Sequence, residues 1–227
     1  EDAGVTSITF EEKTLTNNSI LYILGYYKKL SNNWTLGLSH RFGSLEVAGR
    51  GTLFISEVGT DGTDSEFNEI GLQSETRIPS KSALGIAYEE SGKLTLAADL
   101  TYHDSERYRD LDHDFGETIM HEPTWNLHLG AEYFYYSWLG LRFGLYSNLA
   151  STPNIPDEPS ERFPDHVDMW GFSANAAIYT SQQSSVTLGG YYTGGKGQSV
   201  QFINGEETRL PKAQQIFTFL VGTTFRL

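Results

Sequence analysis

A chain of 227 residues with a formal net charge of -13 and no cysteine has the length of one domain or one barrel. The acidic balance excludes a nucleic-acid surface, which needs a basic footprint, and the missing thiols exclude a disulfide scaffold and thiolate metal sites. No run approaches the ~20 apolar residues of a membrane helix, while 23 Gly, 13 Tyr and 13 Phe with few helix-like runs favour β structure.

Taken in chain order, about ten strands are expected, at roughly 4–14, 19–30, 33–56, 67–90, 92–104, 122–135, 138–149, 166–180, 184–203 and 208–227. Trp34, Leu36 and Leu38 alternate with Thr35, Gly37, Ser39 and, further on, Arg41. Pro79 interrupts the fourth span, and a kink is expected there because Pro donates nothing to a ladder. Leu94, Leu96, Ala98, Leu100 and Tyr102 alternate with Thr95, Ala97, Asp99, Thr101 and His103. Over 125–149 the same period sets Leu127, Leu129, Ala131 and Tyr133 against Asn126, His128, Gly130 and Glu132. It then sets Leu141, Phe143 and Leu145 against Arg142, Gly144 and Tyr146. In the last span Phe217, Phe219, Val221, Phe225 and Leu227 share one face, and Thr218, Gly222, Thr224 and Arg226 the other.

A period of two with one apolar and one polar face is a strand wet on one side only. Connections near 31–32, 90–92, 136–137 and 181–183 are tight, and those near 57–66, 105–121, 150–165 and 204–207 are longer and polar. Alternating short turns and long loops, with lipid outside and a polar lumen, describe an outer-membrane barrel. A mean hydropathy of -0.37 is compatible with it, since barrels hide apolar residues at every second position. A soluble lipocalin-like barrel or sandwich would reverse the faces. Against it stand Arg41, Asp99, Glu132 and Arg142, which do not suit a dry core. The Tyr and Trp residues at strand ends also stand against it, because such girdles mark membrane interfaces. The expected fold is thus an all-β, antiparallel, up-and-down transmembrane barrel in one domain spanning 1–227.

Two segments carry a resemblance. One is Ile78-Pro79-Ser80-Lys81-Ser82-Ala83-Leu84-Gly85-Ile86-Ala87-Tyr88 with Lys93-Leu94-Thr95-Leu96-Ala97-Ala98-Asp99. The other pairs Leu127-His128-Leu129-Gly130-Ala131-Glu132-Tyr133 with Leu141-Arg142-Phe143-Gly144-Leu145-Tyr146. Their order and spacing resemble the FadL/TodX family of outer-membrane transporters of long-chain fatty acids and hydrocarbons. Trp34-Thr35-Leu36-Gly37-Leu38-Ser39 is similar to an earlier strand of that family. The resemblance runs through most of 20–227. It implies a cell-outer-membrane location and passive uptake of hydrophobic small molecules, with no enzyme activity and no cofactor. Family members carry an N-terminal hatch and about fourteen strands, whereas this chain has no hatch sequence and room for about ten. Its start at Glu1, without Met or signal peptide, reads as a mature chain or an excised fragment, such as the C-terminal ten strands of a longer barrel. Expected partners are membrane lipid and lipopolysaccharide, the barrel-assembly machinery and a hydrophobic substrate.

The candidate polar residues of the lumen are Arg41, Asp99, Glu132 and Arg142, with Glu132 and Arg142 placed to pair across strands. They read either as a gate or substrate contact, or as a structural pair neutralising lumen charge. Phe225 and Leu227 are the expected assembly signal, with Leu227 standing where the family usually ends in Phe. His103, His113, His121 and His166 lie beside carboxylates near loop ends, which would suit an outer-membrane hydrolase. Yet nothing fixes a nucleophile, an oxyanion hole or a metal-ligand spacing. The acidic stretches 61–69, 104–117 and 157–168 read as hydrated loops rather than Ca²⁺ sites, since none has the spacing of a calcium-binding loop. Gly194-Gly195-Lys196-Gly197 reads as a flexible part of a strand, because no helix follows it. A binding or structural barrel without a through-pore is the remaining alternative.

Overall fold

The computed structural model describes residues 7–59, 64–157, 159, 163–181, 183–203 and 206–225. These residues are all β and antiparallel, and no helix among them is long and apolar enough to cross a membrane. The chain divides into two compact units.

The larger unit takes Ile23–Phe42, Ser80–Ser105 and His121–Leu227. It is built from β2 (Ile23–Lys29), β3 (Trp34–Arg41), β6 (Lys81–Glu90), β7 (Leu94–His103), β10 (Thr124–Tyr136), β11 (Leu139–Asn148), β12 (His166–Tyr179), β13 (Ser184–Ile203) and β14 (Glu206–Phe225). They form one nine-stranded meander in the order β14-β13-β12-β11-β10-β7-β6-β3-β2. The tight turns expected near 31–32, 90–92, 136–137 and 181–183 all lie along one rim of this sheet. At the second of them Gly92 adopts a φ of 68°, a conformation cheap only for glycine, and Lys93 N–H donates to the Glu90 carbonyl at 3.0 Å. Ile23, Arg41, Lys81, His103 and Thr124 stand side by side on the opposite rim, where the long connections leave. Both edge strands, β2 and β14, start at that rim and run towards the tight turns.

The smaller unit takes Glu1–Tyr22, Gly43–Pro79 and Glu106–Met120. Here β1 (Ser7–Ile20), β4 (Leu45–Gly59) and β5 (Asp64–Leu72) form a sheet in the order β1-β4-β5, and β8 (Glu106–Arg109) pairs β9 (Thr118–His121). Leu53 and Leu111 are fully buried, and Leu111 seats on Gly51, where a Cβ would overlap its side chain. Ser74 Oγ donates to Asn17 Oδ1 at 2.7 Å, and Asn17 Nδ2 donates to Thr76 Oγ1 at 2.6 Å. Lys13 pairs with Glu11 at 3.2 Å and with Glu117 at 3.3 Å.

Two of the ten expected strands are in fact pairs of strands. The span 33–56 breaks at Phe42-Gly43-Ser44 into β3 and β4, which join different sheets. The apolar phase changes across the break: Leu36 and Leu38 fall on even positions and Leu45 and Val47 on odd ones, so one continuous pleat cannot keep both on a single face. The span 67–90 breaks over 73–80 into β5 and β6, and Pro79 lies within this break rather than kinking a strand. The first strand extends to Ile20, and the connection 105–121 carries the β8–β9 ladder.

In the nine-stranded sheet the usual burial pattern is reversed. Phe143, Trp170, Phe172, Phe217, Phe219 and Val221 are exposed, Phe219 by 79%, while Thr101, Asn126 and Thr193 are buried, Thr193 to 5%. An exposed apolar face this continuous is a face solvated by lipid, not the exterior of a soluble barrel. Aromatic pairs bound it. Tyr102 and Trp125 meet with ring centroids 4.6 Å apart on the long-connection side, and Trp34–Tyr88 and Tyr136–Trp138 at 5.1 and 5.4 Å on the tight-turn side. On β10, Trp125 and Tyr135 are ten residues apart. At ~3.4 Å per residue and a tilt of ~40° that spans about 26 Å, matching the ~25 Å apolar band of a membrane barrel.

Leu129 sits mid-band, between Ala98 and Leu145. Leu129→Arg should cost about 2–4 kcal/mol in reversible unfolding from lipid vesicles. Spin labels at Leu127, Leu129, Phe143 and Leu96 should respond to lipid-soluble quenchers; stronger quenching at Asn126 and Arg142 would mean inverted faces.

Candidate functional site: the polar face of the meander

Register, rather than sequence distance, assembles the polar face. Across β6, β7, β10, β11, β12 and β13 one row runs Gly85, Asp99, His128, Tyr146, Gly171, Thr193. A second row, one step nearer the tight turns, runs Ala97, Gly130, Gly144, Ser173. A third runs Thr95, Glu132, Arg142, Asn175, Gly189.

Glycines in these rows are beds for the large side chains beside them. A Cβ at Gly85 would overlap the Asp99 carboxylate, one at Gly171 the Tyr146 ring, and one at Gly189 the Asn175 side chain. Tyr146 lies across β12 at Gly171 and its hydroxyl hydrogen-bonds Thr193 Oγ1 two strands away. Its ring stacks beside His128 at 6.3 Å. Near the long-connection rim the β10–β11 ladder parts, and Ser147 Oγ accepts the Leu127 N–H at 2.9 Å in place of a backbone carbonyl. These groups surround a polar hollow of about 440 Å³, lined in part by Lys81, Thr101, His103, Asn126, His128 and Tyr146. Apolar grooves of similar size lie on the other face, between side chains turned to lipid.

All four expected lumen residues lie on this face, but at different heights. Arg41 is at the long-connection rim beside Lys81, and Asp99 is in the row of Tyr146, exposed. Only Glu132 and Arg142 meet. They are cross-strand partners, with Arg142 Nε donating to Glu132 Oε1 at 2.7 Å and Arg142 Nη2 to the Tyr179 hydroxyl at 3.2 Å. Both are partly exposed, so the pair is worth no more than about 1 kcal/mol. Phe225 ends β14 opposite Ser184, exposed on the apolar face, and Leu227 lies outside the described residues.

The histidines do not converge. His103 shares the rim row with Arg41 and Lys81, and His113 Nε2 lies 3.4 Å from Glu69 in the smaller unit. The Nδ1 of His121 is 3.0 Å from Ser151 Oγ, and that of His166 is 2.6 Å from the Thr152 carbonyl. Among the described residues no three His, Cys, Asp or Glu side chains form a metal-ligand group. Gly194–Gly197 lies inside β13, paired with β12. Of the acidic stretches, 61–63 and parts of 157–168 lie outside the described residues.

Tyr146, Thr193 and the glycine beds were not singled out by the sequence. Alternation puts Tyr146 and His128 on the polar side, but the contact with Thr193 needs the register of two further strands. Gly171→Ala should displace Tyr146 and cost about 1–3 kcal/mol, as overpacking does. Glu132→Gln should cost under about 1 kcal/mol. Denaturant titration in vesicles measures both, and equal losses would contradict this ordering.

No family model matches the chain, and no curated protein matches it. Solved structures do. The CymD monoaromatic hydrocarbon channel aligns with a TM-score of 0.57 at 16% identity, over 90% of this chain and 50% of that one. The P. putida toluene transporter TodX aligns with a TM-score of 0.54 at 17% identity, over 90% and 48%. A Pseudomonas aeruginosa FadL homologue aligns with a TM-score of 0.58 at 16% identity, over 89% and 51%. CymD and TodX are, by name, a channel and a transporter, not enzymes. The chain spans about half the length of these proteins and has, over that half, the fold of the FadL/TodX-type channels.

Proposed function

We propose that the chain forms part of an outer-membrane barrel wall through which hydrophobic small molecules, of the fatty acid or hydrocarbon class, pass by passive diffusion. The observation that carries this reading is the pairing of an exposed apolar face with a polar face, buried at Thr101, Asn126 and Thr193, on a single meander. Only lipid outside and water or substrate inside satisfies both faces. The fold neighbours named for hydrocarbons supply the substrate class. In this role the protein supplies a pore lining and no covalent step. The polar hollow holds no nucleophile–base–acid set among the described residues, and the Tyr146–Thr193 bridge and Glu132–Arg142 pair act as wall. Barrel-assembly machinery would recognise the exposed aromatic strand β14, and lipopolysaccharide would surround the long-connection rim.

Liposomes carrying the protein should take up labelled fatty acid or toluene faster than empty ones, without energy input. Insertion without uptake would favour a barrel that binds but does not conduct. Deleting 218–227 removes the last eight of the 20 residues of β14 and uncovers the facing edge of β13, which lipid cannot satisfy. The truncated chain should therefore fail to insert, and Phe225→Asp should weaken insertion more than Arg226→Ala does. Normal insertion of the truncated chain, read by protease protection in vesicles, would remove the support for β14 as the assembly strand.

A further inference from the structure

The polar hollow near the long-connection rim has a chemistry that a plain pore wall does not require. Its lining draws on every strand of the meander from β6, at Lys81, to β14, at Ile216. At about 440 Å³ it falls within the ~300–1,000 Å³ of small-molecule sites. No carboxylate lines it, although the chain carries a formal net charge of -13. The nearby lumen acid, Asp99, leans the other way, over Gly85 of β6, where a Cβ would overlap its carboxylate.

The groups that do line the hollow are donors. Lys81 is the register partner of His103, and Thr101, one row nearer the middle, is that of Asn126. Asn126 Oδ1 accepts the Leu149 N–H at 2.8 Å and the Ser147 O–H at 3.3 Å, which leaves its Nδ2 hydrogens to donate. The bond between the Tyr146 and Thr193 hydroxyls uses one hydrogen and leaves the other. An ammonium, an amide and a hydroxyl therefore present protons with no anion to meet them, and charge-assisted bonds to an anion are the strong ones.

Beside these donors lies an aromatic floor. The Tyr146 ring lies over Gly171, where a Cβ would overlap its atoms, and the His128 ring is within 13° of parallel to it. Aromatic bodies pack favourably on such rings when offset or edge-on. Met169 and Ile216 close the far end with apolar surface.

We propose that this hollow binds an aromatic monocarboxylate. The carboxylate sits over Thr101, between the Lys81 ammonium and the Asn126 amide. The ring rests on Tyr146 and His128, with any apolar substituent towards Met169 and Ile216. A neutral hydrocarbon would leave the donors unmet, and an alkyl acid would leave the floor unused. The site goes beyond the pore reading and stands without it, since it needs this face open to water but no continuous channel.

The full-length chain in neutral-detergent micelles is titrated calorimetrically with benzoate, benzamide and cyclohexanecarboxylate. Benzoate should bind about tenfold tighter than benzamide, the ratio one charge-assisted hydrogen bond supports. It should bind about threefold tighter than cyclohexanecarboxylate, the ratio one aromatic contact supports. Lys81→Met should erase the first preference and Tyr146→Leu the second. Thr193→Val, which loses the same hydroxyl bridge but keeps the ring, should retain both preferences. Equal affinity for the three probes, or unchanged benzoate binding by Lys81→Met, overturns the site. A wild-type chain that conducts toluene into liposomes yet shows no benzoate preference overturns the site alone. One that prefers benzoate but conducts nothing overturns the pore reading and upholds the site.

Discussion

The constraint on which everything else depends is that a backbone in lipid has no water to bond with. The nine-stranded meander meets it by running ladders of up to 20 residues, as between β13 and β14, so that peptide groups within the sheet pair with a neighbouring strand. Once the ladder is obligatory, side-chain chemistry divides by the pleat. Alternate residues must satisfy two different solvents, and a single misplaced phase would turn a whole row the wrong way. Where the β10–β11 ladder does part, Ser147 takes over the accepting role, so the Leu127 N–H stays bonded.

The polar face follows a second rule. Side chains there are too large to stand side by side on a curved sheet, so glycine leaves room for its neighbour. Gly85 makes room for Asp99, Gly171 for Tyr146 and Gly189 for Asn175. These glycines act through space rather than through backbone freedom. The result is a wall in which Tyr146 ties three strands together and Glu132–Arg142 neutralises itself beside a tight turn. That leaves the hollow near the long-connection rim polar but uncluttered.

The alternation of Leu127 to Tyr133, of Leu141 to Leu145 and of Phe217 to Phe225 was legible in the residues alone, because a period of two on one strand needs no knowledge of its neighbours. The Glu132–Arg142 contact was legible too, since a tight turn fixes their register. What lay beyond reach depended on non-local pairing. The Phe42–Ser44 break passed unnoticed because apolar residues continue on both sides and only their phase shifts. The His40–Ser82 contact joins residues 42 positions apart, across a connection that itself folds into strands. Leu220 falls with Thr218 and Gly222 on the polar face by register.

The like direction of the two edge strands has a consequence for how this sheet can meet itself. Strands β2 and β14 both descend from the long-connection rim, so a direct seam between them would be a parallel one in an otherwise antiparallel wall. Two copies turned about the membrane normal would meet at two such seams, since rotation about that axis reverses no strand. Antiparallel pairing all the way round requires an odd number of ascending and descending strands between these edges. Parity, not circumference, is then the arithmetic any complete ring containing this meander has to obey.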